Sequence, residues 1–161
     1  LAAQKGLPYA FASHFATNHL MHALKIYREE FKPSEVLEKP YTIAGVNVIV
    51  ADTDEEAQRL FTSLIRMFFG ILTGTSQPLH APIEMTEDLE DIFQHPSLNQ
   101  MLKYSFVGTK ETVKQQTRAF LEDTQADELI MVSTIYDIKA RLKSAKLFAE
   151  VMNEINYPNN L

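Results

Sequence analysis

The segment Tyr41–Ala51, YTIAGVNVIVA, constrains the fold more than any other part of this sequence. It is almost continuously apolar and rich in β-branched residues. A strand with one face in water would alternate apolar and polar residues, whereas this composition is typical of a strand covered on both faces, as in a parallel sheet. Parallel strands are joined by crossover connections, usually helices. The segment therefore predicts an α/β fold.

The rest of the chain repeats the same alternation of strand and helix. Strands are predicted at 7–12, at 41–51, in the short segment SFVGT and at 128–133. Each is followed by a stretch with helical periodicity. Four βα units of parallel strands make either a small open sheet or half of a (β/α)8 TIM barrel. A complete barrel takes about 250 residues, so a chain of 161 residues is too short for one.

The first six residues, LAAQKG, read as the last turn of a helix that stops at Gly6. A domain rarely begins with the end of a helix, so we predict that the chain is a fragment, the C-terminal half of a barrel. A half-barrel leaves its first and last strands unpaired at the edges. Such edges favour pairing with another chain, and we expect a homo-oligomer or association with the missing N-terminal half.

Residues 73–104 interrupt the βα rhythm between the second helix and the third strand. This segment holds prolines and two acidic patches, with helical stretches around 87–93 and 96–104. An insertion of this length in a compact domain is usually a lid, a binding loop or a mobile segment. We therefore predict one domain over 1–161 that carries a lid-like insertion.

The charge and composition exclude several classes of protein. The net charge is -6 and the pI is about 5.3, which argues against nucleic acid or an anionic membrane as a partner. The chain has no cysteine, and hence no disulfide or thiolate chemistry. Its most apolar helical run, 64–72, contains Arg66 and is too short to span a bilayer. We expect a cytoplasmic protein.

Four segments, in order and spacing, resemble the bacterial luciferase-like flavin-dependent monooxygenases: LAAQKGLPYAFASHFA, VNVIVADTDEEA, FVGTKETVKQQ and ADELIMVSTIYDIKARLKSAKLFAE. They look like the fifth to eighth strands of that family's barrel. The resemblance implies an enzyme that uses reduced FMN and O₂ to oxidise a small organic substrate such as an aldehyde. It also implies a possible separate flavin reductase as partner.

The resemblance places residues 9–13 beside the isoalloxazine ring. Ala10 and Ala12 would be small so that the flat ring can approach the backbone, and Phe11 would point to the other side or stack nearby. Ser13 would either bind flavin through its hydroxyl or open the next helix. His14 would be a catalytic hydrogen-bonding or proton-relay group, against the alternative of a partly exposed junction residue.

For several other candidate residues, a structural role is at least as good an explanation as a role in binding or catalysis. His19 and His22 are three apart on a helix, but no carboxylate motif accompanies His14 and this pair, so we predict no metal site. Asn47 in the apolar strand must find buried partners. Gly108 and Thr109 suit a helix cap better than a phosphate site.

The sequence contains no nucleophile motif, P-loop or dinucleotide fingerprint. Any chemistry must then belong to a cofactor, which fits a flavin enzyme. The alternatives are a flavin-binding or barrel-derived interaction protein without turnover and an unrelated small α/β domain.

Overall fold

The computed structural model describes residues 1–75 and 78–156. A short helix α1 (Ala2–Lys5) precedes strand β1 (Tyr9–Phe11), and a 3₁₀ turn (Thr17–His19) leads into α2 (Leu20–Glu29). The remaining elements are β2 (Thr42–Val50), α3 (Asp54–Leu72), α4 (Glu87–Gln94), α5 (Pro96–Met101), β3 (Ser105–Gly108), α6 (Lys110–Thr124), β4 (Glu128–Val132) and α7 (Ile138–Asn156).

Local sequence signals set several of the element boundaries. Gly6 ends α1 in a left-handed conformation, with φ 61°, which glycine adopts without steric cost. Thr53 and Thr109 begin α3 and α6, where each side chain accepts a hydrogen bond from the backbone N–H three residues on. Thr17 and Asn18 are residue types that favour a helix N-cap and so predict one before α2; this prediction is wrong, because α2 has His19 at its N-cap position and no side-chain hydrogen bond there.

All strand pairings in the described sheet are parallel, and β2 makes every one of them. Tyr9–Phe11 of β1 pairs with Thr42–Ala44, β4 pairs with Ile43–Asn47, and β3 pairs with Asn47–Val50. The predicted parallel α/β class is confirmed. A half-barrel with strands in chain order would instead place β3 between β2 and β4, so the strand order of this chain differs from that prediction.

Helices pack on both faces of the sheet at β2, although the side of β1 that carries Ala10 is exposed. Ala44, Val46, Val48 and Val50 point into one apolar cluster, which they share with buried residues of α2, α6 and α7. Ile49 and its face of the sheet pack into a second cluster with α3, α4 and α5. In a half-barrel this second face would line an open interior. Covering it with α3 removes that apolar surface from water, which stabilises the chain.

The insertion contains the two predicted helices, α4 and α5. Leu89, Leu98 and Leu102 are buried in the cluster with α3. The insertion is therefore anchored by apolar contacts along α3, and its role as a lid stays a prediction. Residues 76 and 77 of the insertion lie outside the described residues.

The helix α7 differs from the face predicted for it. The periodicity of this segment predicts one inward face made of Ile138, Leu142, Ala145, Phe148, Ala149 and Met152. Phe148 is buried as predicted, but Ile138 and Leu142 are exposed, and Ser144 and Val151 are buried in addition. The Ser144 hydroxyl accepts a hydrogen bond from the Val50 backbone N–H at 2.9 Å. This contact at the end of β2 rotates the helix so that a polar side chain points inward.

Candidate functional site

The candidate site begins on β1, whose two faces have different environments. Tyr9 and Phe11 pack against the cluster that contains α2, whereas Ala10 is exposed, as is Ala12 in the turn that directly follows the strand. The expected alternation of Phe11 against the two alanines is therefore present. Its apolar composition predicts that segment 7–12 is a buried strand; this prediction is wrong, because Ala10 and Ala12 are exposed. The exposed side chains that β1 and its turn offer on this alanine face are the small ones of Ala10 and Ala12.

The strand ends in a tight turn that is tied to β2. The buried Ser13 hydroxyl donates a hydrogen bond to the Gly45 carbonyl at 2.6 Å. Ser13 does not begin a helix, because the 3₁₀ turn starts at Thr17 and has Ala16 as its N-cap. The hydroxyl proton of Ser13 is therefore used within the fold, and the side chain has no exposed surface to offer a ligand.

Asn47 forms the second tie. Its side-chain amide donates to the His14 carbonyl at 2.9 Å and to the Ser105 hydroxyl at 3.3 Å. The buried amide thus joins the turn after β1 to β3 through β2, which confirms the structural reading of this residue. The hydrogen bonds of Ser13 and Asn47 fix the turn that contains His14. The imidazole therefore extends from a fixed backbone and not from a free loop.

The His14 ring lies against Gly45. A Cβ atom built on Gly45 would lie 2.6 Å from His14 Nδ1, a separation too short for any real side chain. Nδ1 is buried and has no hydrogen-bond partner among the described residues, and burial lowers the pKa of His14. Sequence reasoning missed Gly45, although a glycine inside an apolar strand is a known signal of close approach by another group.

A second unsatisfied polar group lies at the end of another strand. The Ser133 hydroxyl, directly after β4, is buried without a hydrogen-bond partner in the described part of the chain. Native proteins satisfy most buried polar groups. Ser63 Oγ on α3 is a third such atom in the described residues. Those of His14 and Ser133 lie just after β1 and β4, at the carboxyl ends of the strands, where parallel α/β proteins bind their ligands.

The helix N-terminus after β3 is already occupied by a carboxylate of the chain itself. Asp54 Oδ1 accepts hydrogen bonds from the Thr109 backbone N–H at 2.7 Å and from the Thr112 hydroxyl at 3.0 Å. A Cβ on Gly108, which has φ 148°, would collide with the same oxygen. Gly108 and Thr109 thus serve as a cap, and this helix end offers no free place for phosphate.

The histidines predicted not to bind metal lie apart from any ligand cluster. His19 and His22 are both exposed. Among residues 1–75 and 78–156, no group of three or more His, Cys, Asp or Glu side chains could hold a metal ion. The same residues include no helix long and apolar enough to cross a membrane.

An apolar cavity of about 320 Å³ lies between α3 and the insertion. Met67 and Phe69 contribute to its wall, while Phe68 between them is buried in the core. A more open cavity of about 520 Å³ lies beside residues 15–19 and α5. Residues 10–14 line neither of these two cavities, so the alanine face of β1 is an open surface.

Sequence comparison finds close relatives over nearly the whole chain. A luciferase-like monooxygenase of Escherichia coli K12 is 41% identical over 155 residues, which are 96% of this chain and 46% of that protein. The uncharacterised protein YvbT of Bacillus subtilis is 38% identical over 151 residues, 94% of this chain and 45% of its own length. No family model matches the chain.

Solved structures show the same fold. Apo-MsnO8 has a TM-score of 0.77 and 30% identity, with 94% of this chain and 46% of that chain covered. A type II Baeyer–Villiger monooxygenase component from Pseudomonas putida, solved with FMN, has a TM-score of 0.55 and 19% identity, with 92% and 43% covered. By these similarities the chain belongs to the luciferase-like monooxygenase family, and it spans about half the length of the curated relatives it matches.

Proposed function

We propose that this chain is part of a flavin-dependent monooxygenase and that the alanine face of β1 lies against the flavin ring. The observation that carries the proposal is the exposure of Ala10 and Ala12 on one face while Phe11 packs behind them. A planar ring needs a flat surface of small side chains for van der Waals contact. The family membership and the FMN complex of a structural neighbour support the same cofactor.

The residues fit a flavin ring in part. Ala10 and Ala12 would contact the ring face, and the partly exposed His14 imidazole would contact its edge. Ser13 would act through the turn it stabilises, since its hydroxyl already donates to Gly45. When bound, reduced FMN supplies the electrons with which O₂ is activated to oxidise an organic substrate such as an aldehyde. The chain itself would hold the flavin ring against β1 and exclude water from the ring face that contacts the protein.

Fluorescence titration with FMN and measurement of O₂ uptake test this proposal in the full-length parent protein, because we expect the chain of 161 residues to be inactive on its own. We expect quenching of flavin fluorescence on binding, and O₂ consumption that depends on reduced flavin and an aldehyde. A flavin reductase added as a separate protein should sustain turnover if reduced FMN is supplied from outside. Tight binding of oxidised FMN without turnover would instead favour a flavin-binding protein that is not an enzyme, and no binding at all would refute both.

We also propose that the chain associates through its open sheet. In the described residues, β1 and β4 pair only with β2. Each of these strands therefore has one unpaired edge. Ile130 of β4 is 48% exposed, and an unpaired edge that carries apolar side chains favours addition of another strand. Sedimentation velocity should show a dimer or a larger species at micromolar concentration. A folded monomer across the concentration range would contradict association with a second copy.

A further inference from the structure

The contact between His14 and Gly45 fixes which imidazole nitrogen can carry the proton. Nδ1 is buried against the β2 backbone without a partner, whereas the ring as a whole is partly exposed. An N–H group needs a hydrogen-bond acceptor, and burying one without an acceptor costs free energy. The groups that hold the turn, the Ser13 hydroxyl and the Asn47 amide, are already bonded to backbone carbonyls.

We propose that Gly45 makes His14 a fixed, neutral hydrogen-bond donor: the ring keeps its proton on Nε2 and offers it to an acceptor atom of a flavin bound on the alanine face of β1. That the acceptor belongs to a flavin rests on the proposed function. The protonation state of His14 does not depend on it. Gly45 is a positioning residue in this arrangement, because any side chain there would displace the imidazole. His14 then binds and orients the cofactor, whereas the sequence alone left a hydrogen-bonding group and a proton relay as alternatives.

The lowered pKa of His14 supports the neutral state. Charging the ring would place an unpaired N–H of the imidazolium against the backbone of Gly45, which disfavours protonation. The polar groups that contact this turn are the Gly45 backbone, the Ser13 hydroxyl and the Asn47 amide. All three are neutral, so none of them stabilises a positive charge on His14. The ring therefore stays uncharged at neutral pH, with the pyridine-type nitrogen inside and the N–H outside.

Nitrogen NMR of the protein labelled with ¹⁵N-histidine tests the tautomer directly. The His14 signals are assigned by their absence from the spectrum of His14→Gln. We expect a pyridine-type shift for Nδ1 and a pyrrole-type shift for Nε2 at pH 7. A pyrrole-type Nδ1, or an even mixture of the two tautomers, would overturn the proposal; the tautomer is read in the wild-type protein, and His14→Gln has to fold only for the signals to be assigned.

Gly45→Ala tests the positioning role, with Val46→Ala as its matched control. Val46 is the next residue on β2, is fully buried, and points to the opposite face. We expect Gly45→Ala to expose Nδ1, mix the tautomers and move the pKa of His14 back towards its ordinary value. Val46→Ala should lower the melting temperature and leave the His14 signals unchanged. Equal effects on His14 in the two variants would contradict a specific role for Gly45.

FMN titration separates a donor from simple ring packing. His14→Gln keeps a side-chain N–H, whereas His14→Phe keeps a planar ring and loses it. A net hydrogen bond contributes a factor of about two to ten in affinity, so His14→Phe should bind FMN that much more weakly than His14→Gln. Equal affinities would overturn the donor role. Failure of the wild-type protein to bind FMN would overturn both the donor role and the proposed function, while the tautomer measurement would still report on Gly45.

Discussion

The two faces of the sheet around β2 show how one strand can serve both stability and binding. Ala44, Val46, Val48 and Val50 on one face are all essentially inaccessible to water and pack against three helices. On the other face, His14 lies against the buried Gly45, and the exposed Ala10 and Ala12 leave the adjoining surface open. Close packing on the first face provides the rigidity with which the second can hold a ligand.

The largest effect is expected from the packed face. Leu24 of α2 is buried in the cluster with β2, and Leu24→Ala should lower the free energy of unfolding by about 2–5 kcal/mol. Met21 on the same helix is 48% exposed, so Met21→Ala should change it by less than about 0.5 kcal/mol. Urea unfolding measures both. Equal losses in the two variants would mean that α2 does not bury the face assigned to it.

The open face should respond in ligand binding rather than in stability. Ala12→Leu adds bulk where the flavin ring is proposed to lie, which should weaken FMN binding by about 1–3 kcal/mol, or roughly ten- to a hundredfold. Because Ala12 is exposed, the melting temperature should hardly change. The control is Ala145→Leu on the partly buried side of α7, which should lower stability and leave FMN affinity unchanged. A variant Ala12→Leu that melts early but binds FMN normally would place Ala12 in the core.

The turn after β1, residues 13–16, should show an intermediate effect on stability when its hydrogen bond to β2 is removed. Ser13→Ala removes the hydrogen bond to the Gly45 carbonyl, and a net loss of about 0.5–1.5 kcal/mol in the free energy of unfolding is expected. Ser97→Ala, at an exposed serine of α5, is the control and should be neutral. Hydrogen exchange of the amides in residues 13–16 should accelerate only in Ser13→Ala. Unchanged exchange would show that Asn47 alone holds the turn.

The smallest effect is expected at the surface of α6 and α7. Lys114 and Lys110 bond to Glu154, and these contacts lower the pKa of its carboxyl group, the Lys114 bond most. A lowered folded pKa means that the stabilisation is present above the unfolded pKa and is lost as the pH falls through the folded pKa. Glu154→Gln should slightly lower the melting temperature at pH 7 and low salt, and not at 1 M salt, where charges are screened.

The exposed Glu122 makes no ion pair in the described residues, so Glu122→Gln is the control for this experiment. It should melt like the wild-type protein at both salt concentrations. A loss of stability in Glu154→Gln that persists at 1 M salt would show that its side chain contributes packing rather than charge.

Features that depend on a few neighbouring residues could be predicted from the sequence. The caps at Thr53 and Thr109 depend on one side chain and a backbone N–H three residues away. The separation of Phe11 from the alanines follows from the two-residue period of a strand. The parallel α/β class follows from the apolar composition of β2, because such a strand must be covered on both faces.

Features that depend on distant segments could not be predicted. The pairing of β4 with β2 and the position of α3 over the second face are decided by which arrangement buries Ile49 and its neighbours. The position of the His14 ring requires the absence of a side chain at Gly45, which is 31 residues away in sequence. The pairing of β1 with β2 brings this glycine next to the ring. The elements and the fold class are encoded locally, since hydrogen bonding and periodicity act within one segment. The strand order and the state of His14 arise when distant segments pack together, because burial and desolvation are properties of packed segments.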